Sequence, residues 1–340
     1  MTLRDVAVLA GVSQPTASRV LNGSTRRPSP DIVEAVRRAA DELGYISNAQ
    51  AQALARSQTG LIGLVVHDIA DPYFSTVAAG VQAEASQRDR QVLLATTLRS
   101  TEQEIRAVNA FIAYRTDAIV LVGSRLHTDD GRRDQERLTG LLDRYRNLGG
   151  RIAVIGQPLP GTHTITPDNR AGAAALAKAL LAEAPREFVV LSGPPKLATA
   201  VDRTAGFVRE LRRTGIKPLA VVPGEFTRDG GYAAAQQVIA SLNPKPRWGA
   251  CVFAVNDVMA LGAMAAFRAG HLRIAQDVQV AGFDDIPTLR DHHPGLTTVA
   301  LPLQEMGRRA IEMALASDTG VQSVTRATGR VILRESTKPH

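Results

Sequence analysis

Apolar residues along the chain fall into two regimes. Over residues 1–47 they recur every three or four positions in short segments divided by small turn residues. Leu3, Val6, Ala7 and Ala10 predict a first helix, with Thr2 as its N-cap, Asp5 near its positive end and Gly11 as its stop. Ser13 N-caps a second helix that tolerates Pro15 in its first turn and turns Ala17, Val20 and Leu21 inward, and Asn22-Gly23 closes it. Ser29-Pro30 opens a third, with Ile32, Val33, Val36, Ala39, Ala40 and Leu43 on its inner face and Gly44 after it. Two short helices joined by a glycine turn and braced by a third make a helix-turn-helix unit.

Residues 48–59, NAQAQALARSQT, carry Leu54 as their single large apolar side chain. Such a stretch is a hinge whose helicity depends on a partner. From Gly60 onward the pattern changes to apolar runs of strand length: 61–66, 92–96, 118–122, 152–156, 188–193, 219–224, 250–255 and 278–283. Amphipathic stretches lie between most of them, at 75–89, 101–115, 170–182, 202–214, 229–241 and 256–269. Fully apolar strands alternating with helices predict an α/β core of parallel sheets covered on both faces. Eight strands exceed one small sheet, and Pro158-Leu159-Pro160-Gly161 offers a boundary between two doubly wound subdomains. Ligands of such folds bind outside the carboxyl ends of the strands.

Composition narrows the class. The 340 residues carry a net charge of +7 and one cysteine, Cys251, which excludes a disulfide framework and any cysteine-rich zinc site. The basic balance hints at an anionic partner, yet residues 1–60 hold seven Arg against five acids, so nucleic-acid binding must rest on motif geometry. No GxGxxG after a strand, Walker loop, GxSxG elbow or HExxH occurs. His292-His293 suits a loop, and Cys251, inside an apolar run, suits a buried packing role. No metal, cofactor or catalytic residue is expected, and neither export nor membrane insertion is.

The stretches TLRDVAVLAGVSQPTASRVLNG (2–23), SPDIVEAVRRAADELGYISNAQAQALA (29–55) and TGLIGLVV (59–66) resemble the lactose-repressor and galactose-repressor family of bacterial transcription regulators. Similarity continues through DPYF (71–74), Pro167-Asp168-Asn169, DRTAGF (202–207), NDVMALGAM (256–264), VQVAGFDD (278–285) and PGLTTV (294–299). The resemblance implies a helix-turn-helix headpiece at 1–47, a hinge at 48–59, and a periplasmic-binding-protein-like core. The core would divide into an N-subdomain, 60–160 and 289–322, and a C-subdomain, 161–288 and 323–340, with an effector cleft between them. Helical 303–316 returns to the N-subdomain on the same grounds.

Residues at the start of the second helix suit the major groove. Gln14, Ser18 and Arg19 can reach base edges, Gln pairing with adenine and Arg with guanine. Ser13 and Thr16 suit phosphates, and Pro15 offers at most an apolar contact to a thymine methyl. Thr2 and Asn22 complete the expected DNA-contacting set, and by resemblance Leu54 wedges between bases of the minor groove. In the core, Arg203, Asn256 and Asp284 match family positions that bind the effector, and Tyr73, Phe74 and Phe226 match aromatic positions beside them. Asp257 reads equally as a helix N-cap, and Asp168-Asn169 reads as helix capping.

Gly156, Leu301 and Leu197 depart from the polar or basic contacts of sugar- or purine-responsive relatives. A carbohydrate is the expected effector. The resemblance thus implies a cytoplasmic homodimeric regulator, most readily a repressor, that binds a palindromic double-stranded operator. A solute-binding protein and a sugar- or nucleotide-processing enzyme are the rival readings on the same core fold.

Overall fold

The computed structural model describes residues 1–22, 28–45, 58–126, 129–183, 187–245, 247–316 and 322–338. The chain divides into two compact units, Met1–Gly60 and Leu61–His340.

In the first unit α1 (Leu3–Leu9), α2 (Gln14–Asn22) and α3 (Pro30–Glu42) enclose a small core of Val6, Ala7, Ala17, Val36, Ala39 and Ala40. Small side chains let such short helices close on one another. Thr2 and Asp5 form a reciprocal capping box: the Thr2 amide donates to Asp5 Oδ2 at 2.7 Å and the Asp5 amide to Thr2 Oγ1 at 3.4 Å. Gly11 takes a left-handed turn, φ +66°, after which the Val12 amide donates back to the Ala7 carbonyl at 2.9 Å. The hinge expected at 48–59, Leu54 included, lies outside the described residues except for Gln58 and Thr59.

The second unit holds two parallel sheets. The larger is built from β1 (Leu61–Val66), β2 (Gln91–Thr96), β3 (Ala118–Gly123), β4 (Arg151–Gly156), β5 (His163–Pro167) and β11 (Val324–Ala327), in the order β11-β5-β4-β3-β1-β2. The smaller has β6 (Phe188–Leu191), β7 (Ala220–Val222), β8 (Cys251–Ala254) and β9 (Gln279–Ala281), in the order β7-β6-β8-β9. An antiparallel pair, β10 (Thr298–Ala300) with β12 (Arg330–Ile332), accompanies them.

The sheets revise the expected boundary. Residues 161–288 and 323–340 were expected together, but β5 pairs with β4 and β11 with β5, so both strands belong to the larger sheet. The physical cause is in β5 itself: its threonines alternate with Ile165, and Thr164 is fully buried within the ladder, so no apolar run marks the strand. The β7 strand is shorter than the run 219–224 because Pro223-Gly224 ends it.

Helices α4 (Pro72–Gln87), α5 (Thr101–Ala113), α6 (Asp129–Asn147), α7 (Asn169–Ala182), α8 (Ala198–Arg213), α9 (Arg228–Leu242), α10 (Asp257–Ala269) and α11 (Leu303–Leu315) cover the sheets. Helix α11 packs against the larger sheet's β3, β4 and β5, and against α4. Glycines allow that last contact: a Cβ on Gly80 would strike the Gln304 carbonyl, and one on Gly307 the Val77 carbonyl. Stacked Phe207 and Phe253, 4.3 Å apart, anchor the core behind the smaller sheet. Cys251 is buried there on β8. Among the described residues no helix is long and apolar enough to cross a membrane.

Candidate effector cavity and DNA-reading helix

The parallel strands deliver their carboxyl ends and the following helix starts to one partly open cavity. Tyr73, Phe74, Arg203, Phe226, Asn256 and Asp284 all line it. Each is placed by the backbone around it. Asp71 caps α4 by accepting the Tyr73 amide at 2.9 Å, which sets Tyr73 and Phe74 edge to face with centroids 5.0 Å apart. Asn256 caps α10, its Oδ1 accepting the Met259 amide at 2.9 Å, so its amide NH2 is the group left for a ligand. Asp284 is held by backbone pairing to the β10 segment, its amide donating to the Val299 carbonyl at 2.9 Å, and takes φ +121°. That conformation is strained for a residue with a Cβ and marks a position fixed for its side chain.

Arg203 organises the floor. Its Nη2 and Nη1 reach the Asp284 carboxylate at 2.7 and 3.2 Å, Nη1 also reaches the Val255 carbonyl at 2.8 Å, and Nε reaches Asn169 Oδ1 at 2.9 Å. The guanidinium stacks 3.9 Å from the centre of the Phe283 ring. Burial pushes the Asp284 carboxyl up to about 6 against the pull of Arg203. Burial raises the Tyr73 phenol and Asp71 as well. A ligand of alternating polar edge and apolar face would find donors, acceptors and rings within one reach.

Several lining residues escaped the sequence reading. His67, just past β1, accepts the Ser124 amide on Nε2 at 3.1 Å, so its proton sits on Nδ1 and is donated to Thr97 Oγ1 at 3.1 Å. Burial, reinforced by Arg99 and Arg125, lowers its pKa to about 3 and keeps it neutral. Arg99, Ser124 and Thr199 also line the cavity. So does Asn169, whereas Asp168 caps α7 as expected, accepting the Ala171 amide at 3.4 Å. The usable signal was position: each stands just beyond a parallel strand or at a helix start. Asp257 is buried beneath the cavity wall, accepting Thr298 Oγ1 at 2.6 Å and the Ile286 amide at 3.0 Å, and burial raises its pKa to about 7. Of the three departures, Gly156 and Leu197 line the cavity and Leu301 does not.

In the first unit, Ser13, Gln14, Pro15 and Arg19 are exposed along the start and outer face of α2, with Thr16 and Ser18 half-buried. Ser13 Oγ lies 2.8 Å from Thr16 Oγ1 and accepts the Thr16 amide at 3.3 Å, so it caps α2. Thr2 is committed to the cap of α1, and Asn22 is the last residue of α2.

A helix-turn-helix unit joined to a two-sheet core with a polar, aromatic-walled cavity defines the class of ligand-controlled DNA-binding regulators. The comparisons place the chain within it. The description "Bacterial regulatory proteins, lacI family" matches residues 2–48, and "Periplasmic binding protein-like domain" matches 177–337. The HTH-type transcriptional regulator GalS of Salmonella typhimurium is 33% identical, with 96% of this chain and 92% of that protein covered. CelR of Thermobifida fusca is also 33% identical, over 94% and 92%. The crystal structure of the lac repressor dimer bound to operator and the anti-inducer ONPF matches with a TM-score of 0.85 at 26% identity, covering 99% of each chain. The chain belongs to the lacI family and is a DNA-binding transcriptional regulator with an effector-binding core.

Proposed function

We propose that the chain is a repressor that binds a palindromic operator as a homodimer and responds to a carbohydrate seated in the core cavity. The observation that carries the reading is the buried Arg203–Asp284 pair at the floor of a cavity walled by Tyr73, Phe74 and Phe226. Sugar hydroxyls donate and accept at once, and sugar C–H faces pack on aromatic rings, so this set of groups suits them. The relatives GalS and CelR, and a CelR–cellobiose complex that matches with a TM-score of 0.68 at 30% identity over 99% of each chain, support a carbohydrate. The lac repressor dimer on its operator supports dimeric DNA binding.

In this reading Gln14, Ser18 and Arg19 read bases while Ser13, Thr16 and the start of α2 hold phosphates. Residues 48–59 form the hinge, with Leu54 as the minor-groove wedge. The ligand acts by favouring one arrangement of the core over another, which changes the spacing of two headpieces. The protein works in the cytoplasm, where the DNA is, and without enzymatic turnover. A thermal-shift screen of sugars and nucleosides on the full chain tests the effector class, since a ligand of the native state raises Tm. Stabilisation by nucleosides alone would replace the carbohydrate.

A further inference from the structure

Two arginines line the cavity, and they differ in what they hold. Arg203 places four N–H groups on Asn169, the Val255 carbonyl and the Asp284 carboxylate, so its charge is matched. Arg99 makes one long bond, 3.4 Å from Nη2 to the Phe226 carbonyl, with its guanidinium 5.5 Å from the centre of the Phe226 ring. It forms no ion pair with any described residue. Asp71, Asp68 and Glu225 stand near enough to favour its charge, but Asp71 and Asp68 each turn an oxygen to a backbone amide, of Tyr73 and Ala70, at 2.9 Å.

The backbone is bent to put Arg99 there. Leu98 and Arg99 are consecutive left-handed residues, φ +46° and +63°, a pairing that non-glycine residues adopt only at a cost. The Leu98 amide, donating to the His67 carbonyl at 2.8 Å, pins the turn while the Leu98 side chain is 67% exposed. The turn sacrifices an apolar side chain to solvent and carries the arginine to the cavity. The starts of α4, α7, α8 and α10 also reach this cavity, through Tyr73, Asn169, Thr199 and Asn256, and α8 has no side-chain cap. Helix starts carry partial positive charge. With Asp284 spanned by Arg203, His67 neutral and Asp71 capping α4 through the Tyr73 amide, Arg99 is the cationic group of the wall that no carboxylate of the described residues holds in an ion pair.

We propose that the effector is an acidic carbohydrate, a sugar acid or a sugar phosphate, whose anionic group seats on the Arg99 guanidinium. The proposal rests on the reading of the cavity as a carbohydrate site and names its ligand class. A planar guanidinium offers paired donors to two oxygens of a carboxylate or phosphate, and a partly desolvated one gains more from them than a surface arginine. The Phe226 ring, 5.5 Å from the guanidinium, and the Phe226 carbonyl are the contacts that hold Arg99 at the wall.

Calorimetric titration of the full-length protein, with thermal shift as a second readout, decides the matter with matched sets. These are galactose, galacturonate and galactose 6-phosphate; glucose, glucuronate, gluconate and glucose 6-phosphate; cellobiose and cellobionate; and inorganic phosphate alone. An acid or phosphate ester should bind at least tenfold more tightly than its neutral parent, and which of the two binds identifies the anionic group. Arg99→Gln should remove that preference, and Arg99→Lys should keep part of it. The wild-type ranking alone bears on the proposal should a variant fold poorly. Neutral parents binding as tightly as their acids, or a preference unchanged in Arg99→Gln, would overturn the acidic class and leave the carbohydrate reading standing. Binding by no member of the sets would overturn both.

Discussion

The Arg203 guanidinium grips the Asp284 carboxylate through two bonds at a depth where their side chains are 3% and 5% exposed. Removing one member leaves the other charged and buried, a loss worth about 3–5 kcal/mol in comparable pairs. Asp284→Ala should therefore lower unfolding stability in urea by about that amount and abolish ligand-induced thermal shifts. Stability within 1 kcal/mol of wild type would mean that the pair is not held away from water as described.

Helix capping and base reading separate two residues of the headpiece. Thr2→Ala should cost about 1 kcal/mol of headpiece stability, because the reciprocal bonds with Asp5 are lost. Arg19→Ala should leave stability nearly unchanged while relaxing preference at one operator position by about 1–3 kcal/mol. Binding titrations across single-base operator variants check this. A loss equal on all sequences would make Arg19 a phosphate contact instead.

His67 gives a pH signature of known sign. Its folded pKa of about 3 lies below the ordinary 6.5, so the native state takes up fewer protons than the unfolded chain between these values. Stability from this group is complete above pH 6.5 and drains away as pH falls toward 3, at up to about 1.4 kcal/mol per pH unit. Asp257, raised to about 7 from 3.8, works oppositely: its contribution is complete below pH 3.8 and is lost as pH rises through 7. Subtracting His67→Gln from wild type cancels the Asp257 part. The wild-type advantage at pH 7 should shrink steadily down to pH 4.5, and parallel stability curves would show that His67 does not stay neutral in the fold.

One substitution at two glycines should give opposite signs. A Cβ on Gly307 meets the Val77 carbonyl between α11 and α4, so Gly307→Ala should destabilise by about 1–3 kcal/mol. Gly140, exposed within α6, has nothing within 4 Å of an added Cβ, and Gly140→Ala should stabilise by up to about 1 kcal/mol. Equal shifts of the urea midpoint would contradict the close approach of the two helices.

Legibility in the sequence followed apolar burial. Strands β1, β3, β4, β6 and β8 are nearly all buried and announce themselves as apolar runs. The Thr-rich β5 and the three-residue β10 and β12 do not, since their order comes from sheet pairing rather than from their own side chains. The same divide runs through the cavity. Residues embedded in recognisable motifs, such as Arg203 in DRTAGF and Asp284 in VQVAGFDD, are accessible from sequence, whereas the Asp168-Asn169 pair reads only as a helix start: Asp168 makes the cap, and Asn169 also lines the cavity, accepting Arg203 Nε. Arg99 and His67 stand in no motif. Their places follow only from where β2 and β1 end and how the turn at Leu98 bends.

The central claim is that ligand in the core governs the headpiece on DNA. Operator affinity measured by fluorescence anisotropy, with and without a saturating concentration of the ligand found by thermal shift, tests it most directly. A coupling free energy of about 1–3 kcal/mol predicts a change in Kd of about 5–150-fold on the operator. The same Kd with the cavity full as with it empty would contradict the account.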